Sequence, residues 1–256
     1  MANNVLTDAF SQKLKGIEGW LSPSAAEFTA CLFKSERIGN VVEFGVYHGK
    51  YLALLYHLTA DYNSRVVGFD AFIGAGDLNI PQEIIFRNIR EACGDTDRLS
   101  IVHADTMVLQ RGEVLKHIPE PIGFISVDAG HEADNLLNDI SLAAELIAPG
   151  GIIAVDDAFN RSTPGAIEGT CRYFEMRNQG RLAPFAQCYN KLFLTTADRH
   201  AHFLDATRQY VCKNAPTDEG CANTLKREQE NQKAGFVPRF FGWELVTFLG
   251  AARMQA

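Results

Sequence analysis

The sequence predicts a doubly wound α/β fold built on a mostly parallel seven-stranded sheet that finishes in a C-terminal antiparallel hairpin. Three observations carry this expectation. Short β-branched runs alternate with amphipathic stretches between Asn40 and Asp156, several runs end in glycine or aspartate, and two further β runs lie back to back around Asn190. Buried apolar strands separated by helices are the pattern of a parallel sheet covered on both faces.

The elements follow in order. The first 40 residues read as a helical segment: Ser22 is a candidate cap, Pro23 suits a first helical position, and Ala25 to Phe33 are good helix formers. Asn40 to Phe44 is a first strand and Tyr51 to Thr59 the helix after it; Arg65 to Asp70 is a second strand, followed by a helix from Gln82 to Cys93. Leu99 to His103 and Ile122 to Asp128 are the third and fourth strands. Leu136, Leu137, Ile140, Ala144 and Ile147 recur at helical spacing, so Ala133 to Ile147 is expected to be a helix stopped by Pro149-Gly150. Gly151 to Asp156 is a fifth strand, and Ala166 to Arg177 a helix. Ala183 to Tyr189 and Lys191 to Thr196, with Asn190 between them, form the hairpin at the sheet edge. Cys212 to Ala234 is polar and reads as a loop or an exposed helix, and Phe236 to Met254 is rich in Phe, Trp and Leu. Residues 41–200 are thus the expected nucleotide-type domain, 1–40 a helical prelude and 201–256 an extension.

Composition narrows the class. The 256 residues are 46% hydrophobic and 21% charged, enough for a core without disulfides or a structural metal. A net charge of −7 repels phosphate backbones and argues against nucleic acid as a partner. The six cysteines show no CxxC pair and no zinc spacing, which suits reduced thiols in the cytoplasm. The N-terminus lacks a signal-peptide pattern, and the most apolar window, around Leu142 to Val155, is cut by Glu145 and Pro149-Gly150-Gly151, so no membrane span is expected.

In such sheets ligands bind beyond the carboxyl ends of the strands. The first strand runs into Glu43-Phe44-Gly45-Val46-Tyr47-His48-Gly49. Gly45 and Gly49 permit a sharp turn, while the bulky Tyr47 and His48 argue against a dinucleotide pyrophosphate pressed on the helix start. Asp70, ending the second strand, is placed to accept hydrogen bonds from ribose hydroxyls; taken alone it would equally read as a turn aspartate. Asp105, after the third strand, is the candidate for an adenine amino group.

Together these residues resemble class I S-adenosylmethionine methyltransferases, a Rossmann-like family. VVEFGVYHGKYLALL is similar to the E-x-G-x-Y-x-G turn of the catechol-type O-methyltransferases, and the F-D-x-F at Phe69 to Phe72 is similar to that of the macrolide-sugar O-methyltransferases. The resemblance implies that Gly45, Tyr47 and Gly49 surround the methionine part of the cofactor. Tyr51 falls where the catechol type has a serine touching the carboxylate. The implied cofactor set is Glu43, Gly45, Tyr47, Gly49, Tyr51, Asp70, Asp105 and Asp128.

The fourth strand leads to Asp128-Ala129-Gly130-His131 and the fifth to Asp156-Asp157. Asp156-Asp157 alone would read as a turn cap, but three carboxylates at adjacent strand ends repel one another unless a cation joins them. Oxygen ligands without sulfur suit Mg²⁺ or another divalent cation. His131, titrating ordinarily near about 6.5, can take a proton from an acceptor hydroxyl. The macrolide-sugar type resembles this arrangement, with a histidine base three residues after the first acid. The expectation is therefore a Mg²⁺-assisted O-methyltransferase acting on a hydroxyl of a sugar or secondary metabolite.

Segments outside the sheet should choose the acceptor: the N-terminal helices, the Ile73 to Pro81 loop, the Phe159 to Gly165 loop and the C-terminal stretch. Phe159, Arg161 and Arg172 are candidate contacts, and Phe240-Phe241-Gly242-Trp243 reads as a lid, a homo-oligomer interface or plain core. Two other classes compete: a nicotinamide-dependent oxidoreductase on a similar sheet, and a non-catalytic cofactor-binding partner subunit. The middle of the first turn and the acid cluster speak against the first, and an intact acid and histidine set against the second.

Overall fold

Helices and strands alternate as the hydrophobic runs require. In the computed structural model, which describes residues 5–72 and 80–249, the first elements are α1 (Asp8–Gly16), α2 (Pro23–Ser35), β1 (Asn40–Phe44), α3 (Lys50–Leu58), β2 (Val66–Asp70), α4 (Gln82–Cys93) and β3 (Leu99–His103). They continue with α5 (Arg111–Val114), β4 (Ile122–Val127), α6 (Ala133–Leu146), β5 (Ile147–Val155), α7 (Pro164–Met176), β6 (Leu182–Cys188) and β7 (Lys191–Thr196). The chain ends in α8 (His200–Asn214), α9 (Glu219–Lys233), β8 (Arg239–Phe240), β9 (Trp243–Glu244) and β10 (Val246–Thr247). Thr7 caps α1 by accepting from the Phe10 amide. Ser22 has the extended backbone of a cap before α2, but its hydroxyl makes no capping bond; Pro23, preset for a first helical position, starts the helix instead.

The large sheet has the order β3-β2-β1-β4-β5-β7-β6-β10. Strands β1 to β5 are parallel, and β7 runs antiparallel to both β5 and β6. Strand order reverses between β1 and β4, which opens a crevice at their carboxyl ends. The two-residue β10 pairs parallel with β6 and adds an eighth strand that is too short to show as a hydrophobic run.

Alternate residues of each strand face opposite layers. Val41, Val66, Phe124, Ile152 and Phe193 pack against α1 to α4, α8 and α9, whereas Val42, Val67, Ile125, Ile153 and Leu194 pack against α5, α6 and α7. Phe28 and Phe33 of α2 are fully buried in the first layer, each such side chain contributing about 1.5–3 kcal/mol. The N-terminal helices therefore share the core of the sheet. No described helix is long and apolar enough to cross a membrane.

Two local expectations shift. Helix α6 ends at Leu146, and β5 begins at once with Ile147 opposite Ile122; Phe124 then pairs with Ile152, so Ala148 to Gly151 loops out opposite Gly123. Pro149 and the glycines interrupt a strand rather than stop a helix. The polar stretch after Cys212 is the end of α8 followed by α9, whose cap Asp218 accepts from the Cys221 amide and whose only buried residues are Cys221 and Thr224. All six cysteines are free.

Candidate active site at the carboxyl edge of the sheet

Strand register builds the site. Phe69, Phe44, Val127, Val155 and Leu192 form one row across β2, β1, β4, β5 and β7. The next row, at the carboxyl ends of the parallel strands, therefore contains Asp70, Gly45, Asp128, Asp156 and Lys191. A cavity of about 1480 Å³ lies over this row, lined among others by Glu18, Trp20, Glu43, Tyr47, Asp105, His131 and Asp157.

The turn after β1 is fixed by both backbone and side chains. Gly45 (φ +81°) has no room for a Cβ, which would lie 2.1 Å from the Asp128 carbonyl oxygen. Gly49 (φ +83°) caps α3 in the left-handed region. Tyr47 also holds a positive φ, uncommon for a bulky residue, and Asp70 secures it: Oδ2 accepts from the amides of Val46 (2.6 Å) and Tyr47 (2.9 Å), while Oδ1 accepts from the Phe72 amide. Asp70 thus ties the turn together and still lines the cavity with its remaining lone pairs. Asp105 also lines it, with Oδ1 accepting from the Met107 amide.

Glu43 is buried and its Oε2 has no hydrogen-bond partner. Burial, reinforced by the charge of Asp128, pushes its carboxyl well above the usual range. An unpaired buried acid beside a cavity is costly unless a donor or a cation from a ligand meets it. Tyr51 is buried too, and its hydroxyl is paired with Thr29 Oγ1 at 3.0 Å on α2. Its ring faces the Lys191 ammonium at 4.4 Å.

Of the three acids expected to share an ion, Asp128 and Asp156 come together with His131. One ligand atom from each of Asp128, His131 and Asp156 lies within 4.8 Å of the others. Burial first, and then neighbouring Asp156, push Asp128 well above the ordinary carboxylate range, which marks a site short of positive charge. Asp157 has left-handed φ and turns to His131, whose Nε2 is 3.3 Å from Asp157 Oδ2 and 4.0 Å from Asp128 Oδ1. The bond to Asp157 raises the imidazole pKa against the opposing effect of burial. Burial alone would raise Asp157, but bonds from His131, Asn160 and Asn190 outweigh it and bring the carboxyl down to about 2.

The hairpin supplies two residues that sequence reasoning passed over. Asn190 Nδ2 donates to Asp156 Oδ1 (2.7 Å) and Asp157 Oδ1 (3.2 Å). Lys191, 1% exposed, donates to Asp156 Oδ1 (2.6 Å) and Asp128 Oδ2 (3.3 Å). Their signal lies in the β5–β7 pairing: Val155 opposite Leu192 sets Lys191 opposite Asp156.

A divalent cation fits this donor set. Asp128, His131 and Asp156 each offer a ligand atom to one point and oxygen atoms predominate, while Asp157 stands outside that group with Oδ2 on His131 and Thr163 and Oδ1 on Asn190. Of the acceptor candidates, Phe159 and Arg161 line the cavity, whereas Arg172 lies outside it and pairs with Asp134 and Glu168. Phe240 and Phe241 pack on Phe174, and Phe240 also touches Phe159 at the rim of the cavity. Residues 73–79 of the acceptor loop and 250–254 of the aromatic stretch lie outside the described residues.

Comparison with known proteins places this geometry. Residues 42–158 match the family model of a methyltransferase domain. No curated protein matches the chain by sequence. Similar solved structures include an O-methyltransferase from Bacillus cereus in complex with SAH: 18% identity, TM-score 0.54, covering 74% of this chain and 90% of that one. The SAH-bound methyltransferase PaMTH1 of Podospora anserina is 14% identical with TM-score 0.53, covering 75% and 88%. CalS11, a calicheamicin methyltransferase, is 16% identical with TM-score 0.50, covering 73% and 91%. Residues 42–158 are thus similar to methyltransferase domains, and the chain has the fold of these solved methyltransferases.

Proposed function

We propose that the chain is an S-adenosylmethionine-dependent, Mg²⁺-assisted O-methyltransferase acting on a hydroxyl of a sugar or secondary metabolite. The observation that carries this reading is the single row Asp70, Gly45, Asp128, Asp156 and Lys191, which sets the turn after β1 beside the acid cluster under one cavity. The SAH bound in two similar structures supports the cofactor, and the description of CalS11 as a TDP-rhamnose 3'-O-methyltransferase supports a sugar-type acceptor.

S-adenosylmethionine supplies an electrophilic methyl group on a sulfonium. Glu43 is the residue that would meet the amino group of its methionine part, because its Oε2 is buried and unpaired. The turn from Gly45 to Gly49 would surround that part, with Tyr51 beneath it, and Asp70 and Asp105 would face the ribose and the adenine. A divalent ion held by Asp128, Asp156 and Asp157 would lower the pKa of an acceptor hydroxyl and fix its direction.

His131 is the base. Its Nε2 lies 3.3 Å from Asp157 Oδ2; with the ring proton held on that side, the lone pair of the neutral ring would sit on Nδ1 and take the acceptor proton. The Asp157 carboxylate then stabilises the imidazolium, and such a base contributes about 10²–10⁴-fold. Residues 41–200 form the cofactor-binding part, and the Phe240–Phe241 corner of the extension closes on Phe159 as a lid or an oligomer contact.

The test is transfer of a labelled methyl group from S-adenosylmethionine to a panel of glycosides, vicinal diols and phenols, with and without a chelator. Labelled product that disappears with chelator and returns with Mg²⁺ is the expected result. Label on no hydroxyl compound would sink the reading, and label that ignores chelator would remove the ion from it.

A further inference from the structure

We propose that Lys191 is a tethered counter-ion of the acid cluster, a positioning residue whose ammonium takes one oxygen from each of Asp128 and Asp156 and leaves the opposite oxygens for one divalent ion. The inference rests on the reading above only in its divalent part.

The geometry accounts for the whole ammonium. Its three donors have three partners: Asp156 Oδ1 at 2.6 Å, Asp128 Oδ2 at 3.3 Å and the face of the Tyr51 ring at 4.4 Å. The side chain is 1% exposed, so the charge is not shared with bulk water. Lys191 opens β7 directly after the hairpin turn, and the β5–β7 register holds it opposite Asp156. Tyr51, under the ammonium, is fixed in turn by Thr29 of α2. A chain of contacts therefore runs from α2 through Tyr51 and Lys191 to the two acids.

The orientation divides the cluster. Asp128 Oδ2 faces Lys191, while Asp128 Oδ1 faces His131. Asp156 Oδ1 is shared by Lys191 and Asn190, which leaves Oδ2 unclaimed by either. Without Lys191, two buried carboxylates within reach of each other would lose their nearest positive charge, the costly half of a broken buried pair. With it, each of the two acids keeps one oxygen against a fixed positive charge.

The test is thermal unfolding of the full chain in EDTA and in excess Mg²⁺, for wild type, Lys191→Met, Asp156→Asn and Lys191→Met/Asp156→Asn. In EDTA, Lys191→Met is expected to lower Tm by about 10 °C, and adding Asp156→Asn to recover part of the loss because it removes the stranded charge. Mg²⁺ is expected to raise Tm of Lys191→Met more than that of wild type. A Lys191→Met Tm within about 2 °C of wild type in EDTA, or a double variant that sums the two losses, overturns the proposal. If Lys191→Met is insoluble, a folded double variant supports it, and an unfolded double beside a folded Asp156→Asn overturns it. The expected EDTA pattern with no response to Mg²⁺ in any variant supports the counter-ion and removes the metal from the proposed function, so the two ideas fail separately.

Discussion

His131 Nε2 lies 3.3 Å from Asp157 Oδ2, and the two residues follow the neighbouring strands β4 and β5. The pair joins a ring that can move a proton to a carboxylate already depressed to about 2, which therefore stays ionised while the ring changes charge. Replacing His131 by Ala should reduce methyl transfer by about 10²–10⁴-fold and leave SAH affinity unchanged. Single-turnover rates beside a binding isotherm check this. Full activity would assign the proton to another group.

Gly45 is required by its surroundings whatever ligand binds. A Cβ there meets the Asp128 carbonyl at 2.1 Å, and the positive φ is unfavourable for alanine. Gly45→Ala should lose more than about 3 kcal/mol of stability in urea unfolding. A loss under about 1 kcal/mol would mean that β1 and β4 separate easily at their ends.

Asp139 gives a pH signature away from the cluster. It is fully buried in α6, bonded by Thr106 Oγ1, and burial lifts its carboxyl to about 6. A folded pKa above the unfolded value means that the native state binds the extra proton between pH 3.8 and about 6, so stability falls as pH rises through that window. Asp139→Asn should therefore be more stable than wild type by about 2–3 kcal/mol at pH 7, with the difference shrinking toward pH 4. Unfolding midpoints across that range are the check; a gap that does not vary with pH would assign the effect to packing.

Trp20 is 82% exposed, lines the cavity and stacks on Tyr47 at 5.9 Å, while Glu18 on the same loop accepts from the Tyr47 hydroxyl. In a Trp243→Phe background, Trp20 emission should change as SAH fills the site. Saturating SAH with a flat Trp20 signal would separate this loop from the cofactor.

Much of this site was legible because parallel strands punctuate themselves. Gly45, Asp70, Asp128 and Asp156 each follow an apolar run directly, and a doubly wound sheet aligns such ends at one edge. Lys191 and Asn190 were not legible, because which residue of an antiparallel strand faces Asp156 depends on the register of β7 against β5, a non-local choice. The double duty of Asp70 is also hidden in the sequence, because its bonds to the amides of Val46, Tyr47 and Phe72 depend on how the turn after β1 folds against β2. The resemblance sets Tyr51 where the catechol type has a serine, and the bond of Tyr51 to Thr29 depends on where α2 packs. The two-residue β10 has no periodicity from which a strand could be inferred.

The central claim is that the crevice between β1 and β4 holds an adenosyl sulfonium donor. Isothermal titration of the wild-type chain with SAH and, separately, with NAD tests it most directly. Saturable one-to-one heat with SAH, weakened about tenfold or more in Asp70→Asn and absent with NAD, is the predicted result. Saturation by NAD with none by SAH would contradict it.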